Sequence, residues 1–144
     1  MIANLTNKKY IARNAFFALS FIDRMRGMIG RKFHEDGFDA MVFANCNSIH
    51  SLFMRQNIDV IFLDAENKVV GLRANLATWL PFVYCSKAVR TIELPSGVIE
   101  HSGTEIGHVI NVSEESVGEL VGQDDEKQIV SEMKSAVPFK ESGK

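Results

Sequence analysis

The residues best suited to carry chemistry lie within the apolar stretch 46–64. His50 follows Cys46 by four residues, so an extended chain could bring an imidazole and a thiol to one edge. Asp59 lies in the run 58–64, which is apolar on both faces, so we expect a buried strand whose carboxylate needs partners. These residue types suit a polar-ligand site or acid–base catalysis. A structural role for Asp59, tying a turn or pairing with an arginine, is the alternative.

Three kinds of catalytic or metal chemistry are open to these residues. Hydrolysis would use His50 as general base and Asp59 as its orienting partner. Thiol nucleophilic chemistry would need Cys46 or Cys85 beside an imidazole and an oxyanion site, and no local signature accompanies either cysteine. A zinc site would need both cysteines, His50 and an acidic residue to meet through folding. Because phosphate-binding and dinucleotide motifs are also absent, we predict a non-enzymatic protein with no catalytic residue, metal site or cofactor.

Glu93 and Arg31 are two further polar residues beside apolar segments. Glu93 lies within 91–95, on the opposite side of this predicted strand from its apolar neighbours, and faces either solvent or the rim of a pocket. Arg31 belongs to a basic cluster that also contains Arg24, Arg26 and Lys32. Such a cluster could bind an anion, but the acidic residues around it favour a solvated surface of mixed charge.

One segment near the N-terminus has a helical period. The apolar residues on one face are Phe21, Ile22, Met25, Met28 and Ile29. Ser20 is a suitable N-cap and Gly30 permits the exit of the chain. The spacing predicts one N-terminal helix that packs its apolar face against the rest of the protein.

The remaining pattern is one of short strands. The predicted strands are 41–43, 49–54, 58–64, 69–72 and 89–94, with turns at 65–68 and 95–97. No strand–helix–strand rhythm of about 30 residues is present, which disfavours a doubly wound parallel sheet. We predict an α+β fold that is mostly β, a compact antiparallel sheet or barrel-like domain with one N-terminal helix packed on it.

Charge and aromatic residues divide the 144-residue chain into two parts. Residues 1–112 carry 12 basic and 10 acidic side chains, all 4 histidines, both cysteines and 9 of the 10 phenylalanines, so we predict a single globular domain there. Residues 113–144 carry 4 basic and 8 acidic side chains. We predict an acidic C-terminal tail that is partly helical or disordered, with an amphipathic helix at 124–137 that either docks or stays loose.

Composition also bounds the partners and the compartment. The formal net charge of -2 provides no strongly basic surface, which disfavours nucleic acid as a partner. No apolar run approaches the roughly 20 residues that cross a bilayer, so we expect no membrane association. Two cysteines imply no disulfide framework and fit a reducing compartment. We therefore predict a cytoplasmic protein, either a monomer or a weak homo-oligomer.

Four short motifs, in order, resemble those of the Domain of Unknown Function 192 family across about residues 15–110. They are Arg24-Met25-Arg26-Gly27-Met28-Ile29-Gly30-Arg31, Cys46-Asn47-Ser48-Ile49-His50 followed by Phe53-Met54, Ile58-Asp59-Val60-Ile61-Phe62-Leu63-Asp64, and Glu93-Leu94-Pro95-Ser96-Gly97. The resemblance implies one small, largely β domain with a helix near its start, and no established activity. The family's Gly-Asp pair near the end of the domain is Gly107-His108 in this sequence, which leaves the role of that carboxylate open.

The resemblance also implies a set of motif residues. These are Arg24, Gly27, Arg31, His50, Met54, Asp59, Glu93 and Gly97. The two glycines fit close packing and turns, and the methionine fits the core. The polar members predict a ligand-binding cleft formed by Arg31, His50, Asp59 and Glu93, since convergent polar groups beside an apolar wall are typical of small-ligand pockets.

The sequence thus favours a small β-rich binding or accessory module for an unknown small polar ligand or a protein segment. A hydrolase using the pair His50 and Asp59 is one alternative. A structural or assembly protein that acts through a sheet edge or through the C-terminal tail is the other.

Overall fold

The computed structural model describes residues 1–113. The strands are Ile2–Asn4 (β1), Lys9–Ala12 (β2), Ala15–Phe17 (β3), Ala40–Ala44 (β4), Ser48–Ile49 (β5), Ile58–Leu63 (β6), Val69–Leu76 (β7), Val83–Tyr84 (β8), Arg90–Pro95 (β9) and Ile110–Val112 (β10). The helices are Phe21–Arg26 (α1) and Val98–Ser102 (α2). The predicted fold class, α+β and mostly β, is confirmed. The predicted tail helix, residues 124–137, lies outside the described residues.

A five-stranded sheet in the order β3-β4-β9-β6-β7 is the main element of the fold. Only the pair β3 and β4 is parallel within this sheet, and its other neighbours are antiparallel. The remaining described strands form a three-stranded sheet, β10-β1-β2, and a two-stranded sheet, β5-β8, and do not close into a barrel. Neither helix within residues 1–113 has the length and apolar character to span a membrane.

Apolar side chains cover both sides of the five-stranded sheet. All six residues of β6 are buried, and alternate side chains of a strand point to opposite sides. One side carries a cluster that we call the first core, which includes Met28, Met41, Phe43, Ile49, Met54, Val60 and Phe62. The other side carries the second core, which includes Val42, Ile61, Leu63, Ile92, Leu94 and Ile99.

The middle strand β9 therefore has one apolar side and one side that carries polar groups. Ile92 and Leu94 belong to the second core. Their neighbours Thr91 and Glu93 point to the opposite side of the sheet, toward the first core, and both are buried.

Helix α1 is shorter and more exposed than the sequence predicts. It ends at Arg26 because Gly27 adopts a positive φ of 50°, a conformation that glycine tolerates best. Phe21 and Ile22 are 75% and 74% exposed, and of the predicted apolar face only Met28, beyond the helix, is fully buried. The expected burial of this helical face is thus not observed.

The long buried strands are predicted better than the short ones. The predicted segments 41–43, 58–64 and 89–94 agree within one residue with β4, β6 and β9. The prediction of a strand at 49–54 is wrong beyond β5, because the chain turns there and Phe53 has a φ of 61°. β1, β2, β3, β8, β10 and α2 have no counterpart among the predictions, since two to five residues are too few to show a period.

The predicted turn at 65–68 is confirmed and joins β6 to β7. The Asp64 carboxylate accepts hydrogen bonds from the backbone N–H groups of Glu66 at 3.0 Å and Lys68 at 2.9 Å. Asn67 takes the left-handed conformation, with a φ of 61°. Asp64 thus closes the turn with the side-chain-to-backbone bonds that are typical of aspartate in tight turns.

Candidate functional site

A pocket of about 80 Å³ lies on the first-core side of the five-stranded sheet. The end of α1, the strands β4, β5 and β9, and the segment that follows β5 contribute to its walls. The polar lining residues are Arg24, Arg26, Cys46, Ser48, His50 and Glu93. The rest of the lining is Gly27, Phe43, Ile49 and Met54. An apolar wall with a few polar groups is the usual composition of a small-ligand site.

Glu93 is the most deeply buried polar group of this pocket. It lies on β9 between Met41 of β4 and Val60 of β6, and its residue exposure is 2%. Its Oε2 has no hydrogen-bond partner within the described residues. Burial raises the pKa of Glu93 to about 8. The side chain is therefore mainly a neutral carboxylic acid at pH 7 and can donate a hydrogen bond.

His50 brings a second unpartnered atom to the same pocket. It directly follows β5, whose residues Ser48 and Ile49 also line the pocket. The Nδ1 atom of His50 is buried and has no hydrogen-bond partner within residues 1–113. Buried polar atoms in folded proteins are nearly always hydrogen-bonded. Four such atoms lack a partner among the described residues, and two of them line this pocket, whereas Arg31 Nη1 and Gln56 Nε2 do not.

Arg24 and Arg26 place positive charge at the pocket. Arg24 Nη2 donates to the carbonyl of Asn45 at 3.0 Å, and Arg26 Nε donates to the carbonyl of Ile29 at 3.1 Å. Neither guanidinium forms an ion pair in the part of the chain that the structure describes. Main-chain carbonyls thus hold both arginines without neutralising their charge.

Arg31 interacts with α1 and does not line the pocket. Its guanidinium forms a 3.0 Å ion pair with Asp23 and lies 4.7 Å from the centre of the Phe16 ring. Hydrogen bonds from the Ser20 hydroxyl and from Arg31 lower the pKa of Asp23. Arg31 thereby connects α1 to β3. Its partner Asp23 is the acidic residue nearest in sequence to Arg24.

Asp59 lies on the opposite side of the sheet from Glu93. It belongs to β6 and shares its side with Ile61 of the second core. Its Oδ1 accepts from the backbone N–H of Asn75 at 2.8 Å, and its Oδ2 accepts from the backbone N–H of Ile99 at 2.7 Å. The carboxylate therefore ties β7 to the first turn of α2.

The predicted set of four polar residues thus separates into three places. His50 and Glu93 share the pocket, Asp59 lies across the sheet, and Arg31 lies beside α1. The pair required for the hydrolase alternative, His50 and Asp59, forms no hydrogen bond in this arrangement, because the sheet lies between the pocket and the Asp59 carboxylate.

The two cysteines also separate. Cys46 lines the pocket and its Sγ donates to the carbonyl of Ser48 at 3.0 Å rather than to an imidazole. Cys85 does not line the pocket, and its Sγ lies against Gly71 of β7. Within residues 1–113, no three side chains of the metal-binding types come together.

Arg24 and Arg26 are exposed, as the sequence interpretation expected, and they also line the pocket, which it did not predict. The available signal was their position beside Gly27, inside the first of the four motifs. Spacing does not show which arginine pairs with Asp23; the structure forms that ion pair with Arg31, and Arg24 and Arg26 have none among the described residues.

Ser51 fastens the pocket segment to the loop that precedes β8. Its hydroxyl donates to the carbonyl of Ala77 at 2.7 Å and accepts from the N–H of Leu80 at 2.9 Å. Its carbonyl accepts from the N–H of Trp79 at 2.9 Å. Trp79 has a φ of 68°, which bulky residues avoid, so the loop needs these bonds to hold its conformation.

We expect Ser51→Ala to lower the free energy of unfolding by about 1–3 kcal/mol, because the fully buried Ser51 hydroxyl makes two hydrogen bonds, each of which contributes roughly 0.5–1.5 kcal/mol. Urea denaturation followed by the fluorescence of Trp79, the only tryptophan, measures this. Ser86→Ala is the control, since Ser86 is exposed and makes no side-chain hydrogen bond among the described residues. Equal stabilities of the two variants would show that Ser51 does not hold the loop.

Comparison with known proteins gives the chain a family. The DUF192 family model, described as Uncharacterized ACR, matches residues 3–112. A UPF0127 protein of Pyrococcus furiosus is 38% identical over 106 residues, which cover 72% of this chain and 90% of that protein. A UPF0127 protein of Thermococcus sibiricus is 37% identical over 117 residues, which cover 77% of this chain and 73% of that protein.

A solved structure shares the fold. The crystal structure of a protein of unknown function from Novosphingobium aromaticivorans has a TM-score of 0.66 and 15% sequence identity, and the match covers 77% of this chain and 82% of that one. Taken with the family match over residues 3–112, the resemblance of the four motifs is confirmed, and the chain belongs to the DUF192 family.

Proposed function

We propose that the protein is a binding module that takes a small polar group into the pocket formed by His50 and Glu93. The observation that carries the proposal is the pair of buried, unpartnered atoms, His50 Nδ1 and Glu93 Oε2, in the lining of one pocket. An unpaired buried polar group costs about 1–3 kcal/mol, and a ligand that pairs with it removes that cost. A binding role is favoured over the predicted hydrolase because the pair that it would use is separated: His50 lines the pocket, whereas Asp59 accepts hydrogen bonds from Asn75 and Ile99 across the sheet.

The size of the pocket limits what can enter. Typical pockets for drug-sized ligands measure roughly 300–1,000 Å³, several times the 80 Å³ of this pocket. A molecule of a few non-hydrogen atoms fits such a volume, and so does a single side chain of a partner protein. The proposal therefore covers a small polar metabolite or a protein segment that inserts one group.

The proposal is tested by a thermal-shift screen of the full chain against sugars, nucleotides, metal ions, small acids and peptides. We expect at least one compound to raise the melting temperature of the wild-type protein. His50→Ala and Glu93→Leu should abolish that shift, since each removes one of the unpartnered polar groups. If no compound changed the melting temperature of the wild-type protein, the proposal would be rejected.

Matched controls separate the pocket from the general surface. His101→Ala and Glu100→Leu change the same residue types at exposed positions of α2, away from the pocket lining. Both should keep the full thermal shift. Loss of the shift in the controls as well would show that the compound binds elsewhere.

The proposal also includes the setting of this function: the protein acts in the cytoplasm, as a monomer or weak homo-oligomer, and its partner is neither nucleic acid nor a membrane. Cys46 and Cys85 are both free thiols, which fits a reducing compartment.

A further inference from the structure

The charges around the pocket narrow the chemistry of its ligand. We infer that the group that enters the pocket is a carboxylate, an inference that rests on the proposed function. Two arginines, Arg24 and Arg26, belong to the lining and are exposed to solvent, and Glu93 is its only acidic member among the described residues. Among the described residues, the lining therefore has a net positive formal charge whether Glu93 is neutral or ionised.

The arginines are available to an anion. Each donates one hydrogen bond to a main-chain carbonyl and has no carboxylate within ion-pair distance among residues 1–113. The nearest acidic residue in sequence, Asp23, pairs with Arg31 instead. A guanidinium carries five N–H donors, so Arg24 and Arg26 retain donors for an incoming carboxylate.

Two groups of the pocket, Glu93 and His50 Nδ1, can also donate hydrogen bonds to a ligand that only accepts them. Burial raises the pKa of Glu93 to about 8, so its carboxylic acid can donate to a ligand oxygen at neutral pH. The unpartnered Nδ1 of His50 can donate as well when it carries the proton. A carboxylate has two oxygens that only accept, and it matches both donors. An ammonium group would need an ionised Glu93 and would face two guanidinium groups at the same time.

The carboxylate can come from two sources. A free acid of about four or five non-hydrogen atoms fits the 80 Å³ pocket entirely. A protein segment could instead insert an acidic side chain or a C-terminal carboxylate. Both present the same chemistry, so the probes must include each source.

The experiment titrates the full chain with sodium acetate, sodium propionate and methylammonium chloride at constant ionic strength. Amide and side-chain NMR shifts of His50 and Glu93 report on the pocket directly. Two short peptides, one with a free C-terminal carboxylate and one amidated, test the protein source. We expect acetate, propionate or the free-acid peptide to bind, and methylammonium and the amidated peptide to be inert.

The double variant Arg24→Gln/Arg26→Gln should weaken carboxylate binding by at least about tenfold, because both charge-assisted contacts are lost. Arg73→Gln/Lys87→Gln is the matched control, since it removes two exposed positive charges that do not line the pocket. The control should leave binding unchanged. Equal weakening in both double variants would show a general effect of net charge and would overturn the inference.

Glu93→Gln distinguishes a carboxylate from a cation. An amide still donates a hydrogen bond and cannot ionise, so carboxylate binding should persist in this variant at all pH values. In the wild-type protein, whose pocket also contains Arg24, Arg26, Cys46 and His50, binding should weaken above about pH 8 as Glu93 becomes negative. Loss of binding in Glu93→Gln at pH 7 would contradict the assigned donor role.

The failure of this inference differs from the failure of the proposed function. Binding of methylammonium that disappears in Glu93→Gln would replace the carboxylate by a cation and would leave a functional pocket. If no carboxylate probe bound but a compound of another class raised the melting temperature, the carboxylate inference would be overturned and the proposed binding pocket would stand. If neither the titration nor the thermal-shift screen detected binding, the proposed binding pocket itself would be rejected.

Discussion

Replacing Asp59 with alanine will lower the free energy of unfolding by about 3–6 kcal/mol, because two hydrogen bonds to a charged acceptor are lost at roughly 1.5–3 kcal/mol each. Asp59 is completely buried, and its two oxygens accept from the N–H groups of Asn75 and Ile99. The side chain of alanine offers no acceptor, and water does not reach the buried position freely. Urea denaturation followed by circular dichroism measures the loss.

Asp64→Ala is the matched control for this prediction. Asp64 also accepts from two backbone N–H groups, but those bonds lie at the exposed turn between β6 and β7. Water can replace the carboxylate there, so the cost should be about 1 kcal/mol. If the two variants lost the same stability, burial would not be the reason for the importance of Asp59.

The free energy of unfolding of the wild-type protein will fall as the pH rises from about 5 to about 8, through the ionisation of Glu93. Burial raises the folded-state pKa of Glu93 from 4.5 to about 8. Between these values the folded protein holds a proton that the unfolded chain has released, so raising the pH favours unfolding. The stabilising contribution is complete below pH 4.5 and is lost by about pH 8. The slope is about 1 kcal/mol per pH unit, and the total is several kcal/mol.

Glu93→Gln removes this titration and identifies its source. The variant should match the wild-type stability near pH 5 and exceed it by several kcal/mol near pH 8, because the amide stays neutral. Urea denaturation at half-unit pH intervals gives the difference. Glu100→Gln, at an exposed position of α2, should leave the pH dependence unchanged. Parallel curves for wild type and Glu93→Gln would show that Glu93 is not a buried acid with a raised pKa.

The apolar pattern alone determines the long strands and the side to which each residue points. The run 58–64 predicts a buried strand with Asp59 on the side of Ile61, and the structure has both features. The run 89–94 predicts Glu93 opposite its apolar neighbours, which is also found. These features are local, because side chains of a strand alternate regardless of what the strand pairs with.

The site depends on information that alternation within one strand does not contain. Asp59 pairs with Leu94, and Val60 pairs with Glu93, so the register places the two acidic groups on opposite sides of one sheet. A shift of one residue would have placed them on the same side. The polar motif residues therefore look like one set in the sequence but lie in three places in the fold: His50 and Glu93 line the pocket, Asp59 ties β7 to α2, and Arg31 pairs with Asp23.

The surroundings of α1 are a second place where the residue spacing does not predict which side chains are buried. Spacing predicts that Phe21 and Ile22 are buried, yet they are exposed, while Arg24 and Arg26 line the pocket. The helix ends after six residues, and Asp23 forms its ion pair with Arg31, while Arg24 and Arg26 have no ion pair among the described residues.

By itself, the sequence determined the family, the fold class and the sides of the long strands, because these depend on residue order and on the two-residue period. Only the tertiary structure decided that His50 and Glu93 line one pocket while Asp59 lies across the sheet, because strand register depends on contacts between residues far apart in the chain.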